Sequence, residues 1–428
     1  FAEKTSARNH KAASQPIAKL KQNGQTDSMT ESTLQSGILT SSLPIIREIN
    51  GTKVMIFQGY DSERSELNRT VLQYSVCKNG SWTTPKAVLD DGNADMYADM
   101  AVTDGKLVLA WQKEKSEIEG SVSDDANGII NDMANKSEIW TAVFDEASGT
   151  FKQTTQLTNN DKPDMMPKVS EGSDGAAVTW LRSSSEDYVE NEGTTTICRQ
   201  TLGSSKVQEI ASTTKEVKEY AVYKEDGTNH AVYLTENENG ESQICDEADK
   251  TLISSGTDEG TIAGLQYANG KLLYNRNGKM YELKDGEGTE LTDDENSIPS
   301  SAIYCKNGDY EGFVWIANDD ETGEGSIKVS MKTEDGFSEP VTVYTGKDKR
   351  IQYLSPVLES DGQWEFAANV LNQSTNLNEL LVISKTPQTE LTLAGASIDE
   401  YDVEDDLTAV HYYATNTELT PIDELIVK

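Results

Sequence analysis

Short runs of alternating apolar and polar residues, separated by Asn-Gly and Asp-Gly pairs, recur along most of the chain. Alternation is typical of half-buried β-strands, and these dipeptides supply the positive φ angles that two-residue hairpin turns need. The stretch "TDGKLVLAWQ" at 103–112 predicts a hairpin whose second strand ends near Trp111. No long helical periodicity competes with this pattern, so a chain built of β-strands is predicted.

Seven copies of this hairpin pattern follow one another. Their Asn-Gly or Asp-Gly pairs begin at positions 50, 104, 174, 226, 269, 307 and 361. A second, weaker hairpin follows most copies, the last of them at 379–393, which gives four strands per period. Four antiparallel strands in roughly 40–55 residues are typical of a propeller blade, whereas a small sandwich needs about 100 residues. The sequence therefore predicts an all-β fold, a seven-bladed β-propeller with four-stranded antiparallel blades, over residues 41–394.

An aromatic residue follows each turn glycine by four to seven positions. The seven residues are Phe57, Trp111, Trp180, Tyr233, Tyr274, Trp315 and Phe366. Aromatic side chains bury large areas, so we expect them to wedge between neighbouring blades rather than to stack on a ligand.

Both ends of the chain depart from the repeat. Residues 1–40 are polar and locally basic, and predict an arm or linker that lies on the acidic body or donates a strand near 33–40. Residues 395–428 predict a C-terminal β segment with strands in "LTAVHYYATN" and "DELIVK", similar to the opening strands of bacterial immunoglobulin-like modules. Because a sandwich needs about 100 residues, either the natural protein continues or these strands dock on the propeller.

Loops on one face of the ring are the expected site, because loops on a rigid scaffold vary freely. The longest candidate is 113–136, in which Ile129, Ile130 and Met133 have near-helical spacing and predict a short helix or flap; a solvated loop is the alternative. Asp124 and Asp125 in this loop are candidate ligand-binding residues.

Two predicted blades begin alike, with Asp95-Met96 and Asp164-Met165. Both aspartates start innermost strands near the rim of the central channel, where a carboxylate pair could bind a cation or a sugar hydroxyl. The alternative is that each aspartate caps its loop and each methionine fills the channel.

The charge balance is strongly acidic, with 37 Lys+Arg against 73 Asp+Glu and a formal charge of −36. Such a surface repels nucleic acid and anionic membranes, and no apolar run approaches the ~20 residues of a membrane span. The acidic surface suits a soluble, exported protein, a cation-binding protein, or a protein with a basic or neutral partner. Clusters such as "SDDAN" make bound Ca²⁺ possible without matching the EF-hand pattern, and no other cofactor is predicted.

Cysteines and histidines are few and scattered. Four cysteines without a CxxC pair indicate isolated thiols, although a bridge between Cys198 and Cys245 is an alternative. Of the three histidines, His10 lies in the arm, His230 in a predicted strand and His411 in the C-terminal segment, and we expect no Ser-His-Asp or Cys-His site and no histidine-based metal cluster. The chain starts at Phe1 rather than Met, which indicates a processed or excised piece, and we expect it to be part of a larger multidomain protein.

Two outer hairpins carry a family resemblance. "SVCKNGSWTTP" (75–85) and "SMKTEDGFSEP" (330–340) resemble the hairpins of sialidase-like, BNR-repeat propellers, whose Asp-box reads S-x-D-x-G-x-x-W. The sequence departs from that box at Cys77, Asn79 and Lys332. The resemblance implies a seven-bladed propeller of the kind that occurs in bacterial secreted or surface proteins. For an active sialidase it implies three arginines that clamp the substrate carboxylate, for which Arg182, Arg276 and Arg350 are the candidates.

The leading hypothesis is a non-catalytic, extracellular or cell-surface propeller that binds a protein or a glycan through an acidic, loop-rich face. A sialidase-like glycoside hydrolase is the alternative. A spacer between neighbouring domains, without any ligand, is the third.

Overall fold

The main body of the protein is a ring of seven antiparallel sheets, as predicted. The computed structural model describes residues 15–16, 29–121, 123, 125–170, 175–185, 187–190, 193–255, 260–292, 297–334, 336–385, 390–392, 396–403, 410–416 and 425–427. Within these residues each blade has four strand positions, counted from the central channel outwards, and the fold is a seven-bladed β-propeller.

Blades 1 to 3 contain the longest loops between second and third strands. Blade 1 consists of Ile45–Ile49, Thr52–Tyr60, Thr70–Lys78 and Ser81–Thr83, with Lys86–Ala87 also on its outer edge. Blade 2 consists of Asp95–Thr103, Lys106–Glu114, Ser137–Asp145 and Thr150–Gln156. Blade 3 consists of Asp164–Ser170, Ala177–Ser183, Thr195–Thr201 and Gln208–Thr213. The loops of blades 1 and 2 hold a 3₁₀ turn, Glu66–Asn68, and an α-helix, Ala126–Lys136.

Blades 4 to 7 complete the ring. Blade 4 consists of Glu219–Glu225, Thr228–Glu236, Ser242–Asp246 and Thr251–Ser254, and blade 5 of Ile262–Ala268, Lys271–Arg276, Lys279–Lys284 and Glu287–Glu290. Blade 6 consists of Ile303–Asn307, Tyr310–Asn318 and Gly325–Thr333, with Gly336–Phe337 and Val341–Gly346 outside them. Blade 7 consists of Lys349–Leu358, Trp364–Asn372, Leu377–Ser384 and the N-terminal strand Thr30–Ser36.

The N-terminal strand closes the ring. Thr30–Ser36 pairs antiparallel with Leu377–Ser384, so the donated strand begins three residues earlier than the predicted position near 33–40. The predicted hairpin at 379–393 is wrong, because Glu390–Thr392 pairs in parallel with Ser81–Thr83 of blade 1. Thr30–Ser36 thus supplies blade 7 with its fourth strand and joins distant parts of the chain.

The seven predicted aromatic wedges are buried, with exposed fractions from 0% to 5%. Seven clusters of buried residues were found in the described part of the chain, and each joins two neighbouring blades. Each cluster contains one of the seven aromatics; Trp111, for example, packs between blades 1 and 2. The prediction that these residues hold the blades together is therefore confirmed.

Four inner hairpin turns, which begin at Asn50, Asp104, Asp226 and Asn269, have the predicted geometry, whereas in Asn307-Gly308 and Asp361-Gly362 only the glycine has a positive φ angle. Asp104 and Gly105 have φ angles of 51° and 66°, and the pair Asp226-Gly227 has 46° and 81°. Two successive positive φ angles define the turn that matches the twist of the flanking strands. The turn that begins at Asp174 lies outside the described residues.

Polar side chains join the innermost strands of neighbouring blades. Asp99 of blade 2 accepts a hydrogen bond of 2.8 Å from the backbone N–H of Val169 in blade 3. Glu219 of blade 4 accepts one of 2.5 Å from the N–H of Leu265 in blade 5. Leu265 lies within an irregularity of its own ladder, between Ala263 and Gln266, so the Glu219 carboxylate satisfies an amide at a site of disrupted pairing. Val169 lies just beyond a similar irregularity, between Met165 and Lys168.

The two hairpins that resemble Asp-boxes share one hydrogen-bonding pattern. The hydroxyls of Ser75 and Ser330 donate to the carbonyl oxygens of Thr83 and Ser338, eight residues on. The amide that follows each serine donates to the hydroxyl of the same partner, over 3.0 and 3.1 Å. The two hairpins are thus structural equivalents although their loop residues differ.

The C-terminal segment contains three strands, Ala396–Val403, Val410–Asn416 and Leu425–Val427, in one antiparallel sheet. The last two were predicted and the first was not; the likeness to an immunoglobulin-like module stays a prediction. All four cysteines are free, so the alternative of a bridge between Cys198 and Cys245 is not realised. Among the described residues there is no helix with the length and apolar character of a membrane span.

Candidate functional site on the loop face of blades 1 to 3

The longest insertion of the ring folds into the helix Ala126–Lys136, which confirms the predicted helix. Asp125 is its N-cap: the carboxylate accepts a hydrogen bond of 2.9 Å from the N–H of Gly128. Within the helix, the side chain of Ile129 is buried, whereas Ile130 is 45% exposed. Asp124, the other candidate in this loop, lies outside the described residues.

The insertion is joined to the loop of blade 1 by a buried asparagine. The side chain of Asn68 donates to the carbonyl oxygen of Ile118 and accepts from its N–H, both over 2.9 Å. Both residues are nearly inaccessible, with exposed fractions of 1% and 2%. Ser65 adds a hydrogen bond of 3.0 Å to Glu117.

The helix is joined to the loop of blade 3 by a second asparagine. The Asn131 side chain donates to Asp187 over 3.0 Å and accepts from the backbone N–H groups of Tyr188 and Val189 over 2.8 and 3.2 Å. Loops from three blades therefore form one connected surface. We call residues 61–69, 115–121, 125–136, 184–185 and 187–190 the loop platform.

Asp95 lies below the platform and is satisfied by protein donors. Its carboxylate accepts from the indole N–H of Trp111 over 2.9 Å, from Lys113 over 3.0 Å and from the N–H of Leu72 over 2.9 Å. Asp95 is 1% exposed and Lys113 is fully buried. Burial raises the pKa of Asp95, and the Lys113 ammonium opposes that increase.

Asp164 repeats this arrangement in blade 3. Its carboxylate accepts from the indole N–H of Trp180 over 2.7 Å and from two nitrogens of Arg182 over 2.7 and 2.9 Å. Asn160 donates a fourth hydrogen bond of 2.6 Å. In both blades the tryptophan follows the aspartate by 16 positions and the cation by 18, a spacing that the sequence displays and that could have identified the pair as interior ion pairs.

Two buried glutamates beside these pairs were not predicted. Glu114 is fully buried, and both of its carboxylate oxygens lack a hydrogen-bond partner. The pKa of Glu114 is raised from 4.5 to about 8, chiefly by burial; the carboxylates of Asp132 and Glu138 contribute to this increase, while Lys136 and Lys113 oppose it. At neutral pH the Glu114 carboxyl is therefore mostly protonated.

Glu138 is also fully buried but has partners. It accepts a hydrogen bond of 2.6 Å from the N–H of Asn160, and Lys115 lies 3.5 Å away. Burial raises the pKa of Glu138, and the Asp164 carboxylate adds to the increase. Asn160 thus connects the rim of blade 3 to the base of the insertion in blade 2.

The three candidate arginines lie in blades 3, 5 and 7. Arg182 is held by two hydrogen bonds to Asp164. Arg276 lies over the ring of Tyr281, 5.0 Å from its centroid, and Arg350 is exposed at the start of its strand. The guanidinium of Arg182 is therefore engaged in an interior ion pair.

A metal centre was searched for in the part of the chain that the structure describes. It contains no group of three or more His, Cys, Asp or Glu side chains placed to hold a metal ion. Calcium binding stays a prediction.

Comparisons by sequence find no match: neither a protein-family model nor a curated protein matches the chain. Comparisons by structure do find partial matches. A sialidase from Trypanosoma rangeli matches 91% of this chain at 11% identity and a TM-score of 0.46. This chain spans about 60% of the length of that sialidase.

A protein of unknown function from Dyadobacter fermentans matches 82% of this chain and 98% of its own, at 10% identity and a TM-score of 0.43. A puromycin-hydrolyzing peptidase of Mycobacterium tuberculosis matches 61% of this chain and 45% of its own, at 12% identity and a TM-score of 0.37. At these identities and TM-scores the matches carry no conclusion about the family or the activity of this chain.

Proposed function

We propose that this chain is a non-catalytic binding propeller that recognises a protein partner through the loop platform. The observation that carries the proposal is that loops from three blades are hydrogen-bonded to one another through Asn68 and Asn131. Loops that are ordered before binding lose less conformational entropy when a partner arrives. Such a surface suits recognition.

The chemistry of the platform favours a protein as the partner. Ile130 and Val189 are 45% and 37% exposed, and they lie on the two segments that Asn131 joins. Carboxylates occur two positions away in the same segments, at the exposed Asp187 and the half-exposed Asp132. An apolar centre with an acidic rim complements a partner segment that combines aliphatic or aromatic residues with lysine or arginine.

The same proposal includes an extracellular or cell-surface setting within a larger protein. Its support is the formal charge of −36, which keeps an exported protein soluble, together with the resemblance to sialidase-like propellers of secreted proteins. Glycan binding is the competing form of the proposal, and the experiment below separates the two.

The test uses the full chain and a random peptide library displayed on phage, followed by affinity measurements with the synthesised peptides. Enriched peptides should combine basic with apolar residues, and the double substitution Ile130→Ser and Val189→Ser should weaken their binding at least tenfold. Val341, which is 36% exposed on the outer edge of blade 6, provides the matched control, Val341→Ser.

Three results would count against the proposal. The first is a library without enrichment. The second is an equal loss of affinity with the Val341→Ser control. The third is saturable binding on a glycan array that the double substitution abolishes, which would assign the platform to a sugar.

A further inference from the structure

Three aromatic rings form a row on the face opposite the loop platform. The rings of Tyr223 and His230 stack with centroids 5.6 Å apart and an interplanar angle of 28°. The rings of Tyr223 and Tyr267 lie 5.9 Å apart at 37°. We call these three residues the aromatic row.

The aromatic row lies on the inner hairpins of blades 4 and 5. Tyr223 and His230 are directly opposite each other in the inner hairpin of blade 4, close to its turn. Tyr267 lies near the end of the innermost strand of blade 5, Ile262–Ala268. The row therefore crosses the groove between two blades at the turn end of their strands, where rigid strands rather than loops hold the rings.

Part of the row is open to solvent. Tyr267 is 39% exposed and the side chain of His230 is 29% exposed, while Tyr223 between them is half-buried. Exposed tyrosine rings on rigid strands offer a π surface that loses little entropy on binding.

Carboxylates surround the row. Glu247 lies 2.8 Å from Nδ1 of His230 and is itself 35% exposed. Burial raises the pKa of Tyr223, and four carboxylates raise it further. They belong to Glu225, Glu247, Asp246 and Asp285. The charged groups that act on Tyr223 are thus negative, and the rings lie in a negative potential.

We propose that the aromatic row and its carboxylates bind a weakly hydrated organic cation, either a trimethylammonium group or the guanidinium of an arginine. The face of an aromatic ring attracts such cations through its quadrupole, and the surrounding carboxylates add to that attraction. An anion is repelled by the same charges, and a neutral apolar ligand gains nothing from them. The site is independent of the loop platform, because the two lie on opposite faces of the ring.

The test titrates the full chain at millimolar concentrations with choline, and in a second arm with an arginine derivative blocked at both ends. Choline has a neutral isostere, 3,3-dimethylbutan-1-ol, which has the same shape without the charge. Ligand-observed NMR and calorimetry should show saturable binding of choline or of the arginine derivative, and weaker binding of the isostere. Saturation at a lower concentration of choline would indicate a small quaternary ammonium ligand, and saturation at a lower concentration of the arginine derivative would indicate a protein side chain.

Variants locate the site. Tyr267→Ala should weaken cation binding roughly two- to fivefold, the range expected for a cation over an exposed ring, whereas Tyr267→Phe keeps the ring and should retain affinity within about twofold. The matched control is Tyr310→Ala, at a tyrosine that is 41% exposed in blade 6. Glu225→Gln, at an exposed residue, should weaken binding without removing a ring.

Four outcomes would overturn the inference. They are equal binding of choline and its isostere, equal effects of Tyr267→Ala and Tyr310→Ala, no saturation with either cation, and binding of neutral monosaccharides that depends on Tyr267. None of these outcomes bears on the loop platform, so this inference and the proposed function fail separately.

Discussion

Replacing Glu114 by glutamine should make the protein more stable, and the gain should grow with pH. Glutamine preserves the shape of the side chain but cannot ionise. Wild-type Glu114 is buried without a hydrogen-bond partner, and its pKa is raised from 4.5 to about 8. The folded state therefore holds a proton between these two pH values that the unfolded state releases. Its free energy of unfolding falls as pH rises through that range.

The magnitude follows from the two pKa values. At 1.36 kcal/mol per pH unit, the interval from 4.5 to about 8 corresponds to roughly 5 kcal/mol of lost stability, and about 4 kcal/mol of it develops between about pH 5 and about pH 8.5. An unfolding entropy of roughly 2.1 cal/mol/K per residue gives about 0.7 kcal/mol/K for a unit of ~350 residues. The Tm advantage of Glu114→Gln should thus grow by roughly 5 °C across this range.

Thermal melts of both proteins at the two pH values measure this difference. Glu119 provides the matched control: it lies in the same insertion and is exposed, so Glu119→Gln removes the same charge without relieving a buried carboxyl. Hydrogen exchange of Ala126–Lys136, corrected for the intrinsic pH dependence, should accelerate above about pH 8 in the wild type and not in Glu114→Gln. A Tm advantage that is equal at both pH values would refute the reasoning.

Three further predictions concern the ring itself. Trp111→Ala should lower the free energy of unfolding by roughly 3–5 kcal/mol in denaturant titrations, because it leaves a cavity between two blades; a loss below about 1 kcal/mol would contradict the wedge role. Arg182→Met should cost roughly 3–5 kcal/mol by leaving Asp164 buried and unpaired, and adding Asp164→Leu should recover part of that loss. Glu31→Gln should speed hydrogen exchange in Thr30–Ser36 but not in blade 4, because the Glu31 carboxylate accepts hydrogen bonds from Tyr344 and Lys349. Unchanged exchange in Thr30–Ser36 would show that these hydrogen bonds do not hold the strand in place.

Structural features that depend on short segments of the chain could be predicted from the sequence. Asp104-Gly105 marked its turn because this dipeptide tolerates the required φ angles, and Trp111 marked a blade junction because it recurs at one place in the repeat. The helix followed from the spacing of Ile129, Ile130 and Met133. Each of these signals spans fewer than about ten residues, the range over which local pattern decides structure.

Features that depend on distant parts of the chain could not be predicted. Closure by Thr30–Ser36 pairs segments that lie about 350 positions apart, and nothing local distinguishes that partner from the nearer segment at 390–392. Glu114 looks like any acidic residue after a strand; it becomes a buried acid only because a helix 12 residues further on folds over it. For Asp95 and Asp164 the sequence suggested a ligand site or a loop cap. Their interior ion pairs were not predicted, because the contacts that form them come from neighbouring strands.

Hydrogen bonds connect the buried ion pair of blade 3 to the base of the loop platform. Asp164 and Glu138 are both held by Asn160, and Lys115 at the base of the insertion donates to the carbonyl oxygen of Asn160. A buried ion pair is a poor way to stabilise a fold, since apolar residues of the same volume do at least as well. Its position beneath the longest insertion suits another role: hydrogen bonds with fixed directions hold the base of the platform in one orientation, which apolar contacts do not. The double substitution Arg182→Met and Asp164→Leu should therefore leave the ring folded and still weaken peptide binding at Ile130, a loss that stability alone does not explain.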